Sequence, residues 1–166
     1  LPWNEFRRNS DFAVSQTDDV KVVDYTIRRA TSDDLGAVLN LDRGTPVGHD
    51  RGDFLTARIA SQEVFIAERD GRLLGYAVLR AASFFGRDFV DLMAVAVNER
   101  RQGVGSALLE SVVKASSTDR VFTSTNRSND PMIELLRKTG WTFSGELIGI
   151  DDDDPELVYY LDALRR

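Results

Sequence analysis

In Val95-Ala-Val-Asn-Glu-Arg100-Arg-Gln-Gly103-Val-Gly105-Ser-Ala-Leu-Leu109 an apolar run enters a basic, glycine-containing turn that opens directly into an amphipathic helix. The first turn of a helix leaves backbone N–H groups without intrahelical partners, and its positive dipole end favours an anion. Gly103 and Gly105 remove side chains where an anion approaches the backbone, and successive N–H groups there can form an anion-binding nest. Arg100 and Arg101 add positive charge at the same place. The pattern reads as a pyrophosphate cradle behind a buried strand. It is not a P-loop, because Gly-x-x-x-x-Gly-Lys-Ser/Thr is absent, and it lacks the three-glycine dinucleotide fingerprint.

Upstream, Phe89 to Val97 is almost wholly apolar, as expected of a central strand covered on both faces. Val64-Phe-Ile-Ala-Glu-Arg69, Asp70-Gly71 and Arg72-Leu-Leu-Gly-Tyr-Ala-Val-Leu79 predict a hairpin, with Asp-Gly supplying the positive φ of a tight primed turn. Tyr25-Thr-Ile-Arg-Arg-Ala30 alternates as a strand. Thr31-Ser-Asp-Asp34 then offers N-cap chemistry to a helix with Leu35, Val38 and Leu39 on one face. Residues 43–52 form a breaker-rich loop holding His49, read as an exposed loop side chain, and a second helix covers 53–61. Downstream, a helix from Gly103 to Ala115 stacks Val104, Leu108, Val112 and Ala115. Val121 to Thr125 is a short strand, and Pro131 opens a helix that runs to Lys138 and closes at Gly140. Strands at 141–149 and 156–162 flank the acidic run Asp151 to Asp154. The order β α α β β β α β α β β predicts a mixed α+β fold: a central, mostly antiparallel sheet of about six or seven strands flanked by helices. Residues 1–24 read as an N-terminal arm whose Trp3, Phe6 and Phe12 dock on the body. Residues 25–166 read as one domain.

Composition narrows the chemistry. The 166 residues include no cysteine and one histidine, which excludes disulfides, thiol nucleophiles and thiolate or His-cluster metal sites. Twenty-one Lys and Arg against 27 Asp and Glu give a net charge of −6, which disfavours nucleic acid as the main partner. No segment approaches the roughly 18 consecutive apolar residues of a membrane-spanning helix. Glu5, Arg7, Arg8 and Asp11 stand where a signal peptide needs an apolar stretch, so the expectation is a soluble, cytoplasmic protein with no membrane partner.

The turn resembles the signature of the GNAT superfamily of N-acetyltransferases, Arg/Gln-x-x-Gly-x-Gly/Ala between that family's fourth strand and third helix, matched by Arg100, Gly103 and Gly105. Leu92-Met-Ala-Val-Ala-Val97 looks like the fourth strand. Asn129-Asp-Pro-Met-Ile-Glu-Leu-Leu136-Arg-Lys138-Thr-Gly140-Trp141 resembles the family's Asn-x-x-Ala-x-x-Leu-Tyr-x-Lys-x-Gly-Phe block. The likeness extends over residues 25–166. It implies two splayed central strands with acetyl-CoA between them as cosubstrate, without a metal. By the same likeness, the backbone of Val95, Ala96 and Val97 lies along the pantetheine arm. Arg100, Arg101, Gln102, Gly103, Val104, Gly105 and Ser106 hold the pyrophosphate, and Asn129, helped by Asn126, contacts the arm near its thiol. The implied reaction is direct acetyl transfer to a primary amine on a small molecule or peptide, by a monomer or homodimer.

The catalytic roles are less regular. Leu136 stands where many relatives place the tyrosine that protonates the leaving thiolate. Ser128, Tyr76, Tyr159 and Tyr160 are the replacements within the chain. Asp91 is the first candidate base: a carboxylate inside an apolar strand, on Val95's side under strict alternation, is costly unless paired or functional. Its alternative is an ion pair with Arg80. Glu68, at the end of its own strand, is the second candidate base. Asp151 to Asp154 read either as a solvated turn or as an attractor of a cationic acceptor. A non-catalytic acyl-CoA-binding module is the alternative function that Leu136 raises.

Overall fold

The computed structural model describes residues 24–45 and 50–163. Of the expected arm only Asp24 falls among them; Trp3, Phe6, Phe12 and His49 lie outside. The elements follow the predicted order: β1 (Thr26–Arg29), a 3-10 turn (Ser32–Asp34), α1 (Leu35–Arg43), α2 (Gly52–Ala60), β2 (Val64–Arg69), β3 (Arg72–Phe84) and β4 (Arg87–Val95). A second 3-10 turn (Val97–Glu99) leads to α3 (Val104–Ala115), β5 (Arg120–Asn126), α4 (Asp130–Lys138), β6 (Thr142–Leu147) and β7 (Glu156–Asp162).

Local chemistry sets the bounds. The Asp34 carboxylate accepts from the Thr31 backbone N–H at 2.8 Å and from its hydroxyl at 3.0 Å, which starts the first helical segment. Asp70 and Gly71 take φ of 50° and 74°, as the tight turn requires. A second such turn, at Phe85 and Gly86 with φ of 49° and 77°, joins β3 to β4. Nothing in that Phe-Gly pair announces a hairpin, and β3 therefore runs past its expected end at Leu79. The central strand is displaced too. It ends at Val95 instead of Val97, because Val97 to Glu99 tighten into the 3-10 turn, where Glu99 N–H donates to the Ala96 carbonyl at 2.9 Å.

Among the described residues the strands make one sheet in the order β1-β2-β3-β4-β5-β7-β6. Every neighbouring pair is antiparallel except β4 with β5. One face packs on α3 and α4 through Val90, Val104, Leu108, Val112, Val121, Leu136 and Trp141. The other packs on α1 and α2 through Val38, Leu55, Ile59, Ile66, Tyr76 and Val78. β4 serves both, with Met93 and Val95 toward α3 and Leu92 and Ala94 toward the opposite cluster. That double burial is why its sequence is continuously apolar. No helix among the described residues is long and apolar enough to cross a membrane.

Candidate active site

β4 and β5 pair over only three rungs, Asp88↔Val121, Phe89↔Phe122 and Val90↔Thr123, and then part. The Thr123 hydroxyl donates to the Val90 carbonyl at 2.9 Å, at the last rung. Beyond it, residues 91–95 have no strand partner on their β5 side. This is the splay expected of the central strands. It begins where the register of β4 with β3 slips by one, between Val78 and Leu79, which leaves Asp91 without an opposite number. The extra residue is a β-bulge, which bends a strand and increases its twist.

The bulge also breaks the alternation expected at Asp91. Val90, Met93 and Val95 share one face while Leu92 and Ala94 take the other, so the count slips by one at Asp91. The Asp91 carboxylate accepts from Arg80 Nη1 at 3.2 Å, with the two side chains 27% and 39% exposed. It is therefore an accessible, paired carboxylate at the vertex of the strand gap. Close by, the rings of Phe89, Phe84, Phe122 and Tyr160 form a row in that order, with successive centroids 5.1, 5.1 and 5.9 Å apart.

At the open end of the gap the turn into α3 has the cradle form. Arg101 and Gly103 take φ of 62° and 90°, and Gly103 is the N-cap, with no side chain capping the helix. The first-turn N–H groups of Val104, Gly105 and Ser106 are thus left to an external acceptor. The turn is braced from several directions. Arg101 pairs with Glu134 of α4 at 2.9 Å, the Gln102 amide donates to the Asn98 carbonyl at 2.9 Å, and Arg100 Nε donates back to the Val95 carbonyl at 3.2 Å. A Cβ built on Gly105 would stand 3.1 Å from Leu135 Cδ2 and 3.8 Å from both Met93 Cε and Val95 Cγ2. Bare backbone there lets the first turn of α3 pack closely against Leu135 of α4 and against Met93 and Val95 of β4. Ser106 also lines a shallow cleft of about 270 Å³ with Glu110, Lys138 and Trp141.

The two asparagines border the gap on the β5 side with their own partners. Asn129 caps α4, accepting from the Met132 N–H at 3.4 Å while its amide donates to Thr125 Oγ1 at 3.0 Å. The Asn126 amide donates to Asp151 at 2.7 Å. Asp154 accepts from the Ser128 N–H at 3.0 Å and hydroxyl at 2.6 Å. Two members of the acidic run thus fasten the β6–β7 loop to the β5–α4 loop, while Asp152 and Asp153 stay exposed. Glu68 is elsewhere: it pairs with Arg28 at 2.7 Å on β2, which β3 separates from β4.

Leu136 is fully buried in the α3-side core. Tyr76 lies on the opposite face, buried, its hydroxyl donating to Asp42 Oδ1 at 2.5 Å. Burial, and then the hydrogen bond to Asp42, push the Tyr76 phenol well above its ordinary range. Tyr159 is buried, and Tyr160 lies under the Arg120 guanidinium, 4.9 Å from its ring centre.

Two charged networks near the site are not evident from sequence. Glu99, 5% exposed, sits just before the cradle and pairs with Arg69 at 3.2 Å and Arg72 at 3.5 Å from the β2–β3 hairpin. Asp42, also buried, pairs with Arg51 at 2.8 Å beside its bond to Tyr76. Each joins residues far apart in the chain, so local spacing carries no sign of either.

Residues 35–141 match the model of the acetyltransferase (GNAT) family. An N-alpha-acetyltransferase of Sulfurisphaera tokodaii is 28% identical over 134 residues, covering 71% of this chain and 80% of that protein. The crystal structure of a GNAT-family acetyltransferase from Bacillus cereus superposes with a TM-score of 0.78 at 29% identity, over 83% of this chain and 96% of that one. The fold also matches yncA of Salmonella typhimurium, solved with its cofactor acetyl-CoA, with a TM-score of 0.71 at 18% identity over 87% and 96% of the two chains. With the family's sequence pattern matched over more than half its length and the sheet parting beside a glycine-capped helix, this chain belongs to the acetyltransferase (GNAT) family.

Proposed function

We propose that this acetyltransferase moves the acetyl group of acetyl-CoA directly onto a free amine, and that the acceptor is the α-amine of a peptide. One observation carries the reading of the donor site: β4 and β5 separate immediately after Val90 and Thr123, beside a helix whose first-turn N–H groups face no side-chain cap. The pantetheine arm runs along the free edge of residues 91–95 toward the turn at Ala96 and Val97. The pyrophosphate sits on the turn from Arg100 to Ser106. The peptide acceptor is supported by the relative from Sulfurisphaera tokodaii, an N-alpha-acetyltransferase.

Acetyl-CoA brings a thioester carbonyl already activated toward amines. This chain positions it, with N–H groups on the unpaired edge of β4 available to the carbonyl oxygen as charge develops. The acceptor nitrogen forms its bond to the acetyl carbon as the carbon–sulfur bond breaks. Asp91, at the vertex, accepts the amine proton. With Leu136 in the core at the position of the usual acid, the departing thiolate takes its proton from water. Leu136 also supports the second reading, a non-catalytic acyl-CoA-binding module.

The test follows free CoA thiol on mixing acetyl-CoA with unblocked peptides, N-terminally blocked lysine peptides, a polyamine and an aminoglycoside. Release with unblocked peptides, and mass gain at their N-termini, is the expected result. Release only with the other amines overturns the α-amine assignment. Acetyl-CoA binding without turnover on any amine establishes the binding module instead.

A further inference from the structure

Tyr25 lies just before β1, at the end of the sheet where β2 turns into β3 and where β4 hands over to the cradle. Its half-buried ring packs against the core under α3. The hydroxyl oxygen stands 3.7 Å from the position a Cβ would occupy on Gly103, the α3 N-cap. No other described residue takes a hydrogen bond from it. Burial, outweighing the nearby Arg69 charge, pushes the phenol above its ordinary range, so it remains an O–H donor at neutral pH.

This placement is held at two points. Arg69 bonds Asp24, the residue before Tyr25, through Nε at 2.9 Å and Nη2 at 2.8 Å. Its Nη1 pairs at 3.2 Å with the buried carboxylate of Glu99, the residue before Arg100. One guanidinium thereby ties the start of β1 to the turn before α3. The charges of Arg69 and Glu99 are taken up by each other, by Asp24 and by Arg72, while the phenolic hydrogen is left at the mouth of the helix.

We propose that the Tyr25 hydroxyl donates a hydrogen bond to the pyrophosphate of the acyl-CoA, so that the start of β1 is part of the donor site. The inference rests on the reading of the α3 turn as the pyrophosphate cradle. In this arrangement Tyr25 is a donor-binding residue, and Arg69 and Glu99 are positioning residues that keep it against Gly103.

The experiment compares two donors on one preparation of the full chain: acetyl-CoA, and S-acetylpantetheine, which has the thioester arm but no pyrophosphate. Tyr25→Phe keeps the ring and its packing and removes only the hydroxyl. Calorimetric titration with CoA is expected to show affinity reduced by about ten- to a hundredfold, the range for one hydrogen bond to a charged group. The KM for acetyl-CoA rises in proportion, kcat at saturation stays parental, and kcat/KM with S-acetylpantetheine does not change. Parental CoA affinity in Tyr25→Phe overturns the proposal, as does an equal loss with both donors. Since the ratio of the donors is read on the same protein, a general loss of stability cannot imitate the result. If the parent fails to bind CoA, the fault lies with the cradle reading itself.

Discussion

Replacing Asp91 by Asn separates a catalytic carboxylate from a structural one. The substitution keeps size and a hydrogen-bond acceptor for Arg80 but cannot take up the amine proton. Its structural cost is bounded by the pair it weakens: 3.2 Å long, with side chains 27% and 39% exposed and so partly screened by water. Such pairs contribute about 0.2–1 kcal/mol, well short of the roughly 3–5 kcal/mol for breaking a buried pair. A loss of that size moves the melting temperature of a domain like this by a few degrees at most. The catalytic cost is far larger if Asp91 is the base, roughly 10²–10⁴ in kcat, with acetyl-CoA affinity unchanged. Calorimetric titration with CoA, a thermal melt and initial rates on one preparation read all three quantities. A variant with parental kcat refutes the assignment. Glu68, held by Arg28 on β2, is not positioned to replace it, which would leave a water relay as the base.

Acetyl-CoA at a hundredfold excess over its dissociation constant is expected to stabilise the fold by about 2.7 kcal/mol, seen as a raised melting temperature, with ATP doing far less; no shift refutes the donor site. Gly105→Ala places a methyl 3.1 Å from the movable tip of Leu135, beside Met93 and Val95, and shifts the first turn of α3, so the protein folds but its CoA dissociation constant rises in calorimetry. Gly103→Ala has more space but must adopt φ near +90°, and is expected to lose about 1–2 kcal/mol in urea unfolding. Tyr76→Phe leaves the buried Asp42 carboxylate with Arg51 alone and costs about 1.5–3 kcal/mol in the same assay, with CoA affinity unchanged. The Asp34 carboxyl is held well below its ordinary range by the hydrogen bonds from Arg28. For Asp88, burial alone would raise the value, but hydrogen bonds from the Ala82 and Ser117 N–H groups and the Ser116 hydroxyl outweigh it. With both folded values depressed, their contribution is complete above the unfolded value near ~3.9 and is lost as pH falls through the folded values. Urea midpoints should therefore hold down to about pH 5 and drop as the pH is lowered from there toward about 2, and the drop should shrink in Asp34→Asn.

The sequence alone carried the element order, the β2–β3 hairpin and the glycine-capped α3, because each depends on contacts within a few residues. Asp-Gly needs only its own φ angles, and a helix start needs only its first turn. The continuous apolar run of β4 likewise disclosed burial on both faces, since burial is written directly into side-chain type. The Phe85-Gly86 turn and the end of β4 at Val95 escaped that reading, because pairing with β3 and the tightening at Val97–Glu99 set them. The bulge at Asp91 belongs to the same class: register is a property of two strands, and one extra residue broke the expected alternation. The Asp91–Arg80 pair was one of the two readings open to the sequence, but only the assembled sheet brought Arg69 to both Asp24 and Glu99, and Tyr25 to Gly103. Those contacts join residues from separate strands and turns, and a linear spacing holds no trace of which distant partner will balance a buried charge.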